Sequence, residues 1–287
     1  MHATTALPFT VTLAVLAAAA THATWNATAH GIRDQLIAFG LIGAGGIAVA
    51  IPLVIAAPVP LGACWPYLLG SVAIHVFYNL LLMRCYRFGE FGQVYPLARG
   101  TSPLVVTILA AAFAGERPSL PQLAGVLVVS GGLAALVFAG RRNGPRPARP
   151  ALVAAVATGL TIAAYTTVDG LGVRLSGSAM GYIGWLMVLQ SLCVPMFALA
   201  RRRHSLPGQP RRVLLAGLAA GALSVLAYGL VLWAQTRGPL APIAALRETS
   251  VIFGALIGSI AFREPFGRAR VAATVVVVAG ILLLNVG

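Results

Sequence analysis

Lysine is absent from all 287 residues, although the chain has 20 basic residues, every one arginine, and only six acidic ones. Charged side chains make up 9% of the chain, where a soluble domain carries about a quarter. Such a chain cannot cover itself with polar surface, which excludes a soluble fold and requires an outer face that meets lipid. Cysteine is scarce as well. Cys64, Cys85 and Cys193 form no C-x-x-C pair and no His/Cys ligand spacing, so neither a disulfide framework nor a zinc site is expected. The acidic residues, at 34, 90, 116, 169, 248 and 264, are scattered and offer no carboxylate pair of the kind a metal-dependent membrane transferase needs. No Gly-rich phosphate loop is present, so ATP-driven pumping is not expected. No metal, cofactor or catalytic residue is implied.

What the chain has is apolar length. Hydrophobic residues are 59% of it and the mean hydropathy is +0.90. A spanning helix needs about 20 mostly apolar residues. Ten runs meet this, at 8–27, 36–56, 66–86, 93–114, 121–140, 151–170, 179–200, 213–235, 239–261 and 267–286. Gly, Pro and Arg punctuate the short connections. The first run has no basic residue before it and more spans follow, so it is read as a span and not as a cleaved leader. Gly217/Gly221 and Gly254/Gly258 form G-x-x-x-G pairs that let helices approach closely.

The formal charge of +14 invites a nucleic-acid reading, but the arginines cluster between apolar runs, as at 141–149 and 201–212. That is the loop bias of a membrane protein, so a lipid bilayer is expected and nucleic acid is not. Arginines 33, 84, 87, 141, 142, 146, 149, 201, 202, 203, 211, 212, 263, 268 and 270 fall on the odd-numbered loops and adjoining helix ends. Only Arg117, Arg174 and Arg237 fall on the other side. The positive-inside rule then places the odd loops in the cytoplasm and both termini outside, in a bacterial-type inner membrane.

An internal repeat organises the chain. A shift of 148 residues lays Arg99-Gly-Thr101-Ser102 on Arg247-Glu-Thr249-Ser250, Glu116 on Glu264 and Gly132 on Gly280. Upstream, a shift of 150 pairs Tyr78 with Tyr228 and Arg87 with Arg237. Apolar composition does not easily produce the Arg, Thr-Ser, Glu and Tyr matches. Two halves of five spans, an odd number, must lie in opposite orientation. The expected fold is an all-α integral membrane protein, ten helices in two inverted five-helix repeats around a central cavity. The expected boundaries are 1–140, an Arg/Pro-rich linker at 141–150, and 151–287.

The stretches Val94-Tyr-Pro-Leu-Ala-Arg-Gly-Thr-Ser-Pro103 with Gly115-Glu116, and Ala244-Ala-Leu-Arg-Glu-Thr-Ser250 with Arg263-Glu264, resemble the EamA-type drug/metabolite transporters. So do Asp169-Gly-Leu-Gly-Val-Arg174 and Trp25 near the end of the first span. The resemblance covers essentially the whole chain. It implies two five-helix repeats around a cavity and efflux of amino acids or other small metabolites. Two features depart from the pattern. The small multidrug-resistance relatives carry a carboxylate in the first span, and 8–27 has none. Many members open the second span with Arg, where this chain has Asp34-Gln35-Leu36.

An ionisable side chain inside a bilayer costs about 2.5–3.5 kcal/mol at a helix centre on insertion scales, and so marks a functional candidate. Arg99 and its repeat partner Arg247 lie within spans four and nine, where a guanidinium can hold a substrate carboxylate bidentately, close a gate, or pair with Glu248 or Asp169. Thr101, Ser102, Thr249 and Ser250 follow them and either bond back to the preceding turn or meet substrate. His75, Tyr78 and Asn79 form a polar turn in span three, and Tyr228 repeats Tyr78 in span eight. Tyr95 and Trp233 complete the candidate lining. Trp25, Asn26, Tyr165, Asp169 and Glu248 are secondary candidates. Trp25 and Tyr165 also suit an aromatic belt, Asp169 a helix-end pairing with Arg174, and Glu116 and Glu264 the helix N-termini that favour a carboxylate.

The expected activity is therefore export of a small molecule, amino acids first, by alternating access in a monomer or homodimer. A lipophilic-cation efflux pump is the alternative within the same superfamily. A channel-like uniporter and an intramembrane enzyme are the rivals from other classes.

Overall fold

The computed structural model describes the backbone of residues 7–89, 91–140, 148–206, 208–261 and 268–286. Side chains are described over the same ranges except 92–93, 136–140, 268–270, 273 and 284–286. The expectations for Glu264, Arg263 and most of the 141–150 linker fall outside the described residues.

The described chain is helical throughout. In order it forms α1 (Phe9–Gly31), α2 (Gln35–Ala56), a single 3-10 turn (Gly62–Cys64), α3 (Trp65–Phe88), α4 (Phe91–Gly100), α5 (Ser102–Phe113) and α6 (Leu120–Gly140). There follow α7 (Arg149–Leu175), α8 (Ala179–Arg202), α9 (Arg211–Gln235), α10 (Leu240–Arg247), α11 (Ser250–Ala261) and α12 (Arg268–Val286). Polar residues between the apolar runs start several of these. Asp34 accepts from the backbone N–H groups of Leu36 and Ile37 at the head of α2, and Ser178 accepts from Gly181 N at the head of α8. Ser119 and Gln122 cap α6 reciprocally, Ser119 N donating to Gln122 Oε1 and Gln122 N to Ser119 Oγ.

Among the described residues, seven segments are long and apolar enough to cross a membrane: Gln35–Ala56, Gly62–Phe88, Val94–Phe113, Arg149–Leu175, Ala179–Arg202, Arg211–Gln235 and Leu240–Ala261. Leu120–Ala135 and Thr274–Leu283 are apolar but shorter. Helix α1 has the length, yet His22, Thr24, Asn26 and Thr28 dilute its second half.

Two of the seven are broken helices, not continuous spans. Pro103 has no N–H to continue α4 into α5, so the chain turns at Thr101. No proline stands at the second break. There the ladder tightens to i→i−3 bonds, Glu248 N to Ala245 O, Thr249 N to Leu246 O and Val251 N to Glu248 O, and the Thr249 hydroxyl also takes Leu246 O.

The helices pack with polar groups inward and apolar groups outward. Ile55, Ile260 and Leu120 are about four-fifths exposed, while Asp169, Glu248, Arg99 and Arg247 are buried to 1% or less. That is the distribution of a protein whose solvent is lipid. Helix α3 packs along α7 and α9 along α1, while α2 lies against both α8 and α9 and α6 lies against α12. Glycine sets the closest approaches. At Gly221 a Cβ would meet the Gly46 amide at 2.6 Å, and at Gly217 the Leu41 side chain at 2.6 Å. Gly254 lies against the Tyr95 ring.

Candidate functional site

Midway along the bundle, α1, α2, α3, α7, α8 and α9 enclose a cavity of about 70 Å³. One wall is aromatic: Trp25, His75, Tyr78, Tyr165 and Tyr228. Amides and hydroxyls of Asn79, Gln190, Ser191 and Ser224 also line it, among apolar groups such as Ile42, Met187 and Val194. The aromatic wall is held as a unit. The His75 ring stacks on Tyr165 at 4.0 Å and meets Tyr228 edge-on at 5.3 Å, while Tyr165 meets Tyr78 edge-on at 5.4 Å. His75 Nδ1 lies 3.0 Å from both the hydroxyl and the carbonyl oxygen of Ser71 one turn back, which fixes the ring's orientation.

Behind the aromatic wall lies a layer of buried charge, built where the two broken helices meet. Arg99, at the end of α4, donates through Nε to Glu248 Oε2 at 2.8 Å and through Nη2 to Glu248 Oε1 at 3.3 Å. This fork satisfies both carboxylate oxygens and closes the breaks against each other. Arg247, its repeat partner, is treated differently. Nη2 reaches Thr166 Oγ1 at 3.3 Å, and the guanidinium carbon lies 6.0 Å from the Tyr165 ring centre. Its Nε and Nη1 meet no acceptor among the described residues. Two guanidinium groups thus stand beside a single carboxylate at this level, Arg99 takes both its oxygens, and Arg247 keeps donors without an acceptor among the described residues.

A second carboxylate lies further along α7. Asp169 is fully buried and accepts from Tyr182 Oη at 2.8 Å and from Tyr228 Oη at 2.5 Å. Tyr228 is also a cavity residue, so Asp169 stands one hydrogen bond from the cavity.

Of the sequence-derived candidates, the structure places Trp25, His75, Tyr78, Asn79, Tyr165 and Tyr228 on the cavity wall. Arg99, Arg247 and Glu248 form the charge layer behind it, and Tyr95 stacks on Phe91 beside Arg99. Ser102 and Ser250 are fully buried at the two breaks, away from the cavity. Trp233 lies apart, its ring 4.2 Å from the Arg237 guanidinium carbon near the end of α9. Asn26 Oδ1 accepts from Tyr86 Oη at 2.6 Å and Asn26 Nδ2 donates to His22 O.

Three local expectations change. Trp25 and Tyr165, at 6% and 2% exposure, are interior groups and not belt anchors. Asp169 does not pair with Arg174, because Tyr182 and Tyr228 take both its oxygens. Arg174 instead donates to Gln235 O and Gly238 O and lies 3.5 Å from Glu116. Glu116 caps a helix, but α10 and not α6, accepting from Leu240 N at 2.7 Å and Ala241 N at 3.3 Å. His22, Phe39, Gln190, Ser191 and Ser224 also line the cavity and were not among the candidates. A histidine and a glutamine inside apolar runs were the available signal. The two serines carried none.

A solved structure described only as a crystal structure of a protein has the same fold, with a TM-score of 0.74 over 96% of both chains at 18% identity. No curated protein matches the chain. Residues 149–286, which supply Tyr165, Tyr228 and Arg247 to this site, match the model of the EamA-like transporter family.

Proposed function

We propose that the protein is a secondary transporter that exports small metabolites, amino acids first among them, by alternating access between two inverted five-helix halves. One observation carries this reading: a cavity midway along the helices, backed by two repeat-related buried arginines, of which Arg247 keeps donors without an acceptor among the described residues. Sites between inverted repeats, formed beside broken helices, are a construction plan of secondary transporters. The packing supports a two-fold relation of the halves, since α3 against α7 is answered by α9 against α1, and each half has its break at an arginine; their odd number of expected spans is what calls for inversion. Arg247 suits a carboxylate, and the aromatic wall suits an apolar side chain.

The test is counterflow in proteoliposomes with a panel of labelled amino acids. Exchange of at least one, lost in Arg247→Ala, supports the reading. Absence of exchange for every one, with resistance to ethidium-like cations in expressing cells, would favour lipophilic-cation efflux. The aromatic lining is the observation that keeps this second reading in view, since the Trp, Phe and Tyr rings around the cavity also attract a cation.

A further inference from the structure

Two similar polar links join corresponding helices of the two halves, although not at repeat-equivalent positions, since Tyr228 repeats Tyr78 and not Tyr86. On α1, Asn26 accepts from Tyr86 of α3. On α7, the first helix of the second half as α1 is of the first, Asp169 accepts from Tyr228 of α9, and also from Tyr182 of α8. A neutral amide does in one half what a carboxylate does in the other. The tyrosine link therefore needs no charge, and the ionisable group at 169 asks for another reason.

The surroundings of Asp169 supply one. Among the described residues no basic side chain lies within ion-pair distance of it. The groups that face it are Tyr182 on α8, Tyr228 on α9, Ser71 on α3, Tyr165 on its own helix and the Arg247 charge on α10. Beyond these, His75 of α3 stacks on Tyr165, and Cys64 of the 3-10 turn is within electrostatic reach of Tyr182. The direct contacts are hydroxyls, and a hydroxyl donates to a carboxylate or accepts from a carboxylic acid with equal ease. When a proton adds to one carboxyl oxygen, the new O–H donates to the tyrosine oxygen facing it, and that tyrosine turns its own hydrogen away. When the proton leaves, the bond reverses. Tyr228 joins this switch to the cavity, while Tyr182, in the first turn of α8, joins it to the helix ends beyond.

We propose that Asp169 is the site where a coupling proton binds and is released during transport. The proposal rests on the transporter reading above, and its test separates the two. Proteoliposomes are loaded with radiolabelled leucine, phenylalanine and methionine and assayed twice, by counterflow without a gradient and by accumulation under a pH gradient of either polarity. Wild type is expected to accumulate label under one polarity. Asp169→Asn is expected to accumulate under neither while measurable counterflow remains, the separation a purely structural residue would not give. Infrared difference spectra of the solubilised protein between acidic and alkaline buffer should show a protonated-carboxyl band that Asp169→Asn removes and Asp169→Glu shifts. Gradient-driven accumulation by Asp169→Asn overturns the proposal, and so does a carboxyl band unchanged in both variants. If wild type exchanges none of the three amino acids, the substrate reading fails, and the infrared spectra still decide the proton site.

Discussion

At the scale of single residues, the two arginines that the repeat makes equivalent have become different in kind. Arg99 spends both ends of its fork on Glu248, so Arg99→Ala leaves a carboxylate buried and unpaired. Breaking a buried pair in this way costs about 3–5 kcal/mol, and the expected result is a large fall in detergent melting temperature together with loss of transport. Arg247→Ala removes a group whose Nε and Nη1 have no described acceptor, so melting should fall little while counterflow is lost. Arg247→Lys should restore little, because an ammonium cannot copy a planar fork. Full counterflow in Arg247→Ala would remove that residue from the transport path. Asp34 gives a pH test outside the spans. Desolvation acts to raise its carboxyl, but the Arg202 hydrogen bond and the α2 amides outweigh this and hold it below the ordinary carboxylate value. A depressed folded-state value means stability present above the unfolded carboxylate's range and lost as pH falls through the folded one. Asp34→Asn keeps the cap but loses the ion pair with Arg202, a partly exposed pair worth no more than about 1 kcal/mol. The melting gap between wild type and this variant should therefore close on acidification, and a gap independent of pH would assign the effect to the cap alone.

At the scale of elements, the apolar runs made most of the helices legible, because about 20 apolar residues between Gly, Pro and Arg punctuation have few other uses. The breaks were half legible. Pro103 announces the first, whereas the second is a run of i→i−3 bonds at Glu248 and Thr249 that no proline marks. The site was legible where an ionisable or aromatic side chain stood out against Leu and Val, as at His75, Tyr78, Tyr165 and Tyr228. It was illegible where the contributor is a small hydroxyl, as at Ser191 and Ser224, since serine in a membrane helix is common for packing alone. Nor does spacing reveal that Asp169 turns to Tyr182 and Tyr228 and away from Arg174, five residues on, because partner choice depends on helix crossings. Those crossings are set by glycine and can be tested there. At Gly221 a Cβ would press on the α2 backbone beside Gly46, whereas at Gly131 nothing lies within 4 Å. Gly221→Ala should lower melting clearly, by the order of about 1–3 kcal/mol expected of overpacking, while Gly131→Ala should be neutral or slightly stabilising. Equal effects at the two positions would mean that α2 and α9 do not cross at Gly221.

At the scale of the whole molecule, the two ends of the bundle are each tied across the halves. At one end Glu116, after α5, caps α10 and meets Arg174 at the end of α7, which in turn holds the carbonyls of Gln235 and Gly238. At the other, Asp34 at the head of α2 pairs with Arg202 at the end of α8 at 2.8 Å. Both ties are made in this conformation, and the proposed alternating-access cycle would release them one at a time. Which tie faces the cytoplasm follows from the arginine asymmetry, with 141–149 and 201–212 on one side. In a background with Cys193 replaced, because that thiol is exposed, single cysteines are introduced in the 141–150 and 201–212 linkers and at the Gly115 and Gly177 turns. A membrane-impermeant maleimide should label the two turns in intact cells and the two linkers only after the membrane is opened. That pattern makes Asp34–Arg202 the cytoplasmic tie and Glu116–Arg174 the outer one. The reverse pattern would exchange the two assignments and leave the fold intact. Labelling of one linker and one turn from the same side would be more serious, because an odd number of spans in each half places all four sites by parity, and the inverted repeat itself would then be wrong.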